Sequence, residues 1–414
     1  MDTSNVQNKP AARTDSRNRN GVRTSLVHLF GVSAVAGLCA LFCGEVAAQE
    51  SIKVGIVVPL TGVLGAAGKL TVAGARLYMA QHGDIVAGRK VELIVRDDAG
   101  VPDNSKRITQ ELLTSDKVAI LGGGVTPSML AIAPLVTESK TATVIMVSGT
   151  SIVTERSPYF VRTSFTLGQQ ASVLAGWAAQ NGSKRVTIIA TDWAPGREAA
   201  EVFAATFSKA GGSMVETLMV PLANPDFAPF LQRARDGNPD TLFVAVPAPQ
   251  AGVLAKQFVE RGLDKSGIRL IGPGDITDDA DLPGMSDAMA GTVTAGFYSA
   301  YHQSAMNRQY VADFQRANPN MRANFISVSA YDGMHLIYEA LERTGGKTDG
   351  PALVEAMKGM SWESPRGPMS IDPRTRDVVH DIYIRRIEKV DGALRNIEFE
   401  TFKAVHDPAK LPDN

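Results

Sequence analysis

The sequence predicts an α/β protein of two doubly wound parallel-sheet lobes, on three observations. Short apolar runs bounded by turn residues alternate with stretches of helical periodicity, first from Ile52 to Thr163 and again from Leu167 to Gly272. Alternation of this kind builds a parallel sheet covered by helices on both faces, with right-handed crossovers. The pattern restarts after Phe160-Val161-Arg162-Thr163, so the two halves repeat one construction. Finally, 414 residues with 44 % apolar and 21 % charged side chains provide material for two cores.

Residues 1–48 stand apart from that globule. Arg13, Arg17, Arg19 and Arg23 form a basic start, Leu26 to Phe42 is mostly apolar and small, and Val46-Ala47-Ala48 supplies the small residues of a cleavage site. The segment reads as a secretory signal peptide cut after Ala48, with a retained anchor as the alternative. Both cysteines, Cys39 and Cys43, fall inside it, preceded by Leu38 and Phe42 and not by the small residue of a lipoprotein box. The mature chain is expected in the periplasm, without a disulfide, a thiol nucleophile or a thiolate metal site. Removing residues 1–48 takes five basic and three acidic side chains, leaving 37 against 40, about −3. That balance points away from nucleic acid, and no later segment is long and apolar enough to span a membrane.

The first lobe opens with Ile52 to Val58 as a buried strand ended by Pro59. The glycine-rich turn LTGVLGAAGK follows, then a helix from Leu70 to Gln81. Neither nucleotide fingerprint fits this turn. Gly62 and Gly68 have five residues between them, and Leu70 follows Lys69, whereas a phosphate loop needs four residues and then Ser or Thr. Gly62 and Gly65 are separated by two residues, not the one of a dinucleotide site. The glycines serve a turn, or a close approach to something bound. Val91 to Arg96 is a strand and Asn104 to Ser115 a helix, with Asp97 and Asp98 at the strand end suited to holding backbone N–H groups.

Lys117 to Leu121 ends the next strand and runs into LGGGVTPSMLAIAPL. Proline at a first helical position loses no hydrogen bond, and Thr126 before Pro127 suits an N-cap. A helix N-terminus thus follows a strand with no side chains on the approach. Its free N–H groups and dipole suit a carboxylate; a strand-to-helix turn with glycines for packing is the plain alternative. Thr143 to Val147 is another strand, with Ser148-Gly149-Thr150-Ser151 at its carboxyl end. Ligands of such sheets bind beyond strand ends where the strand order reverses. The hydroxyls of Thr126 and of Ser148, Thr150 and Ser151 are therefore candidate carboxylate donors, or else caps and turn formers.

The second lobe repeats the scheme. Helix Leu167–Gln180 precedes strand Val186–Ala190, and strands Met214–Val220, Thr241–Val246 and Ile268–Gly272 alternate with helices up to Ala210, over Phe227–Arg235 and over Pro249–Arg261. Their ends offer Asp192, Trp193, Pro247 and Asp275 to whatever lies opposite. Phe297-Tyr298-Ser299-Ala300-Tyr301-His302 then precedes helices at Asn307–Ala317, Ile326–Arg343 and Gly350–Met360, and Asp381–Lys389 with Leu394–Phe402 alternate as a strand pair around Asp391-Gly392. Those helices exceed what the second sheet needs and would cover the first. The chain then crosses between lobes more than once, which makes a hinge of several strands.

IKVGIVVPLTG, RDDAG, the Gly-Gly-Gly-Val-Thr turn, DWAPG, YDGMHLIYEAL and ESPRGPMSID occur in this order from about Ser51 to Phe402. Together they resemble the leucine/isoleucine/valine-binding family of periplasmic solute-binding proteins, which serve ABC importers. The resemblance implies the type I periplasmic binding fold, two α/β lobes joined by three strands and closing on a ligand. Lobe 1 would comprise 51–165 and 297–374, lobe 2 would comprise 166–296 and 375–405, and 406–414 would be a C-terminal tail. It implies a small carboxylate-bearing ligand, membrane permease subunits as partners, a monomer, and no cofactor or catalytic group. By resemblance, Thr126 holds the ligand carboxylate, with Thr150 and Ser151 binding it through backbone N–H and hydroxyl. Trp193 to Gly196 falls where amino-acid binders carry an aromatic followed by glycine, although here Pro195 precedes the glycine. A carboxylate near Pro273–Asp275 pairs with the ammonium in such binders, a part for Asp275, with Gly274 competing for the matching position. The tyrosine expected near Pro247-Ala248 is absent. Anion donors, the Trp193 face and Tyr298, Tyr301 or His302 near the hinge would suit an aromatic or other organic acid, and core or rim packing is the alternative for the tyrosines. Arg162 is an anion ligand or a structural residue at the hinge.

The other classes have less behind them. His82, His302, His335, His380 and His406 are scattered, and neither HExxH nor G-x-S-x-G occurs, so a secreted hydrolase has no signature. A binding protein that reports its ligand to a receptor keeps the same fold and is the nearer alternative.

Overall fold

The computed structural model describes residues 50–411, so the signal peptide expected at 1–48, with Cys39 and Cys43, lies outside the described residues. The strand β1 (Ile52–Val58) buries every residue but Lys53. It leads into α1 (Gly65–His82), which begins five residues before the expected start at Leu70. The glycines are there for contact with the strand end. A Cβ on Gly68 would stand 1.8 Å from the Pro59 carbonyl oxygen.

The first half continues through β2 (Ile85–Val86), β3 (Arg89–Asp97), α2 (Pro102–Thr114), β4 (Ile120–Gly123), α3 (Thr126–Ser139), β5 (Thr143–Ile145) and β6 (Phe160–Arg162). Six strands form one sheet in the order β2-β3-β1-β4-β5-β6, parallel throughout except for the β2–β3 hairpin. The chain leaves β1 to one side for β3 and returns to the other side for β4. That reversal sets a switch point between β1 and β4.

The second half contains α4 (Leu167–Gln180), β7 (Arg185–Thr191), α5 (Ala194–Lys209), β8 (Ser213–Val220), α6 (Ala228–Asp236), β9 (Thr241–Ala245), α7 (Ala248–Glu260), β10 (Arg269–Pro273) and β11 (Val293–Gly296). Helix α4 matches its expected limits because its boundaries are local. Thr166 accepts from Gln169 N while the Gln169 side chain accepts from Thr166 N, a reciprocal cap. The parallel order β8-β7-β9-β10-β11 reverses between β7 and β9, which makes the second switch point.

Three helices follow, α8 (Ala305–Ala317), α9 (Phe325–Arg343) and α10 (Gly350–Met357). Helix α9 covers the first sheet, its Ala330, Met334 and Ile337 packing with Val54, Ile56 and Val144. It runs so close to α1 that a Cβ on Gly74 would lie 2.0 Å from the Ser327 carbonyl oxygen. Gly74→Ala is therefore expected to lower stability by roughly 1–3 kcal/mol, although alanine is the better helix former. A urea melt would read it, and an unchanged midpoint would show that the two helices part freely.

The chain closes with β12 (Ser361–Ser364), β13 (Gly367–Ile371), β14 (Val378–Val390) and β15 (Ala393–Val405). β12 and β13 extend the second sheet beyond β14, whereas the sequence reading carries the first lobe to residue 374. Their side chains explain the difference, since Trp362 and Ile371 pack into the first-lobe core while their backbone pairs with the second sheet. Residues 406–411, expected as a tail, fold back as well. Asp407 caps the turn 408–410, and Lys410 reaches the Asp377 carboxylate and the Thr154 hydroxyl.

Buried arginines hold the first crossing between the sheets. Arg162 donates to the carbonyls of Ser148, Thr150 and Phe165 at 2.5, 2.6 and 3.1 Å and, through Nε, to Asp377 at 2.7 Å. Arg366 donates to the Thr163 and Ser164 carbonyls at 2.6 and 3.1 Å and pairs with Asp332 at 2.8 Å. All four charged side chains are buried.

Candidate functional site

Both switch points open on one cavity. In sheets of this kind the connections leave in opposite directions at the reversal and expose a crevice at the carboxyl ends of the strands. The first sheet contributes Leu64 after β1, Val125 and Thr126 after β4, and Val147 to Gly149 after β5. The second contributes Trp193 and Pro195 after β7, Pro247 and Ala248 after β9, and Asp275 after β10. Phe165 and Leu167 from the first crossing, with Phe325 and Ile326 from the start of α9, complete the wall. The cavity volume is about 60 Å³.

One side of the wall is polar without being charged. Helix α3 begins at Thr126, with Val125 as an extended N-cap that makes no side-chain bond. This corrects the expectation that Thr126 caps the helix. Its hydroxyl turns sideways instead, to Ser148 Oγ at 2.7 Å and Thr150 Oγ1 at 2.9 Å. The first-turn N–H groups of α3 have no partner within the helix and bring the positive end of its dipole to the same place. Ser148 is fixed from behind, where its N–H donates to Gly124 O at 3.0 Å and its carbonyl accepts from Arg162 and from Ser164 Oγ. Among the described residues no lysine or arginine lines the cavity.

The opposite side is apolar around a single carboxyl group. Trp193 precedes α5 and lies half-buried, followed by Pro195 in the first helical turn. Asp275 sits in the 3₁₀ turn Gly274–Thr277 beyond β10. Burial pushes its carboxyl up to about 7, against the lowering pull of its own backbone N–H and of Arg385. The Arg385 guanidinium lies directly under the turn, donating to Gly274 O at 3.2 Å and also to Tyr298 O. Gly274 is what permits that approach, since a Cβ there would meet Arg385 Nη2 at 2.6 Å.

Thr126, Ser148, Trp193 and Asp275 thus meet at one cavity, and three other expected site residues lie elsewhere. Thr150 is buried behind the wall, its hydroxyl spent on Thr126 and its carbonyl on Arg162. Ser151 is already engaged. Its N–H donates to Glu198 Oε2 at 2.9 Å and its hydroxyl lies 2.5 Å from Glu198 Oε1 and 2.9 Å from Asp407 Oδ1. Glu198 belongs to α5, so the donors read from sequence as ligand contacts hold a side chain of the other lobe. Tyr298 is fully buried beside Tyr310 in the core, away from the cavity.

The remaining candidates resolve by their contacts. Tyr301 is exposed, and His302 Nδ1 contacts Glu398 Oε2 at 2.7 Å. Asp97 accepts from the N–H groups of Leu60 and Ala99 at 2.7 and 2.8 Å, and Asp98 from Ser105 and Ser128 hydroxyls at 2.7 and 2.5 Å. They tie loops together. Among the described residues no three His, Asp or Glu side chains converge as a metal set. Phe165, Phe325 and Ile326 went unread as site residues, because their segments carry only an apolar signal shared with the core.

Comparison with known proteins bears on this cavity. The sequence profile described as "Periplasmic binding protein" matches residues 51–393. The chain is 40 % identical over 364 residues to "Leu/Ile/Val-binding protein homolog 6" of Brucella abortus (strain 2308), covering 87 % of this chain and 93 % of the relative. It superposes with a TM-score of 0.85 on the solute-binding protein of an ABC transporter from Rhodopseudomonas palustris BisB5, solved in complex with 3,4-dihydroxybenzoic acid. That pair shares 56 % identity over 87 % of this chain and 99 % of the other. A solute-binding protein from Rhodopseudomonas palustris HaA2, in complex with p-hydroxybenzoic acid, gives a TM-score of 0.85 at 39 % identity, again over 87 % and 99 %.

Proposed function

The chain belongs to the periplasmic binding protein family, and from that premise we propose that it captures a small aromatic carboxylate between its lobes and delivers it to an ABC permease. The observation that carries this is the division of the cavity wall. Neutral donors gather at the α3 N-terminus, and aromatic and aliphatic faces make up most of the rest. A benzoate-like molecule fits that division. Its carboxylate meets the Thr126 and Ser148 hydroxyls and the helix end, and its ring lies against Trp193, Phe165 and Phe325. The ligands bound to the two Rhodopseudomonas proteins support this class.

Export through a signal peptide cut after Ala48, residence in the periplasm as a monomer, and the absence of catalysis belong to the same proposal. The name of the Brucella relative favours a second reading, a branched-chain amino acid with its ammonium on Asp275. The aromatic walls favour a ring.

A thermal-shift screen separates the two. At a hundredfold excess over its dissociation constant, a ligand stabilises the folded state by about 2.7 kcal/mol. Hydroxybenzoates are expected to raise the midpoint by several degrees and leucine, isoleucine and valine to leave it in place. A shift with leucine and none with benzoates would overturn the aromatic reading.

A further inference from the structure

We propose that Asp275 is the specificity-determining residue of this cavity, accepting hydrogen bonds from ring hydroxyls at the end of the ligand remote from its carboxylate. The inference rests on the aromatic-carboxylate reading above and deepens it. Among the described residues that line the cavity, Asp275 is the one ionisable side chain. It comes from the second sheet, while the hydroxyls of Thr126 and Ser148 come from the first, so the two polar groups stand on opposite lobes. A flat acid lying across the gap presents its carboxylate to one and its far ring edge to the other.

The chemistry at the far edge then follows from sign. A carboxylate repels a second acid group and gains nothing from a bare C–H edge, but it accepts from O–H donors. A hydroxyl para to the ligand carboxylate supplies one such donor, and adjacent meta and para hydroxyls supply two for the two oxygens of Asp275. Such bonds are about twice as strong when the acceptor is ionised, so hydroxyl donors favour the carboxylate form of a group that burial has raised to about 7. An unsubstituted ring covers the half-buried carboxyl group and adds no donor to its own backbone N–H, and covering a polar group without a new partner carries a desolvation penalty. The site therefore selects hydroxylated benzoates by penalising those without hydroxyls as well as by binding those with them.

Arg385 is the positioning residue for this acceptor. It lies on the far side of the turn from the cavity wall, bound to the carbonyls of Gly274 and Tyr298 and to the hydroxyls of Thr277 and Thr294. Its charge favours the ionised form of Asp275, while Asp278, Asp279 and Glu398 share that charge from below.

Calorimetric titration of 3,4-dihydroxybenzoate, 4-hydroxybenzoate and benzoate into the wild-type protein and Asp275→Asn tests the assignment. Asparagine keeps the size of the side chain but replaces one acceptor oxygen by a donor. The wild type is expected to prefer both hydroxylated acids over benzoate by roughly 10- to 100-fold. Asp275→Asn is expected to lose most of that preference, the three acids converging in affinity. A ligand-free thermal melt that matches the wild type shows that the variant is folded, and loss of all three acids by a folded variant would overturn the assignment of Asp275 to the hydroxyls alone. An undiminished hydroxyl preference in Asp275→Asn would overturn the role of Asp275 and leave the aromatic-carboxylate reading standing. Failure of the wild type to bind any of the three acids would overturn that reading, and this inference with it.

Discussion

Arg162→Ala is expected to cost roughly 3–5 kcal/mol of folding stability, more than any other single change at the site. The side chain is fully buried, and its guanidinium satisfies the carbonyls of Ser148, Thr150 and Phe165 as well as the Asp377 carboxylate. Alanine would leave the buried Phe165 carbonyl without a donor, and the Ser148 and Thr150 carbonyls with only Ser164 Oγ and the Val153 N–H. It would also leave Asp377 with only Lys410 and Thr154 for partners. Arg162→Lys is expected to recover only part of the loss, because an ammonium lacks the planar fork that reaches several acceptors at once. Denaturant melts of the two variants measure this. A loss below about 1 kcal/mol, in the range of a solvent-exposed ion pair, would show that water replaces the guanidinium and that the crossing is looser than these contacts require. Ligand affinity should fall along with stability, since Arg162 fixes the backbone on either side of Gly149.

The second large effect is on binding. Removing the hydroxyls of Thr126 and Ser148 is expected to weaken an aromatic carboxylate by roughly 1.5–3 kcal/mol for each charged hydrogen bond lost, a factor of ten or more per hydroxyl. The two hydroxyls are 2.7 Å apart and bonded to each other, so the double variant Thr126→Ala/Ser148→Ala should not show the sum of the single losses. Thr126→Ser keeps the hydroxyl and serves as the control. Titration of 4-hydroxybenzoate into the four proteins reads the cycle. Unchanged affinity in the double variant would move the carboxylate away from the α3 N-terminus.

The fold was legible because its signals are local. β1 and α4 have the limits that their apolar run and their Thr166–Gln169 cap imply. β12 and β13 escaped, since SWES and GPMSI are too short to show a period and contain a proline at Pro368. Their strand character comes from pairing with β14, far along the chain. The turn from Leu60 to Lys69 read as a loop, yet its last five residues, Gly65 to Lys69, already belong to α1, with Gly68 too close to the Pro59 carbonyl for a side chain.

The site divides along the same line. Thr126, Ser148, Trp193 and Asp275 could be found from sequence because each follows a strand, and strand ends at a reversal face the crevice. Ser151 has the same local signature but a different fate, decided by Glu198 forty-seven residues later in the middle of a helix. Nothing about a glutamate in REAAEVF distinguishes a solvated side chain from one that reaches across to another lobe. Tyr298 illustrates the converse, an aromatic after a strand whose burial depends on how α8 packs over it.

The contact at Ser151 also has an arithmetic of hydrogens. A hydroxyl carries one, yet its oxygen stands within bonding distance of both Glu198 and Asp407. It can serve only one of the two acids at a time, while the Ser151 N–H also reaches Glu198 and the Ala409 N–H reaches Asp407 Oδ1. Desolvation raises both carboxyls above their ordinary range; Asp377 adds to the rise at Asp407, and Arg162 and Lys410 pull against it. An acid whose pKa is raised in the assembled state holds its proton there and releases it when exposed, so acidity favours the assembled state and rising pH erodes it. The hold of Ser151 on α5 is thus expected to tighten in acid and to slacken as the pH rises.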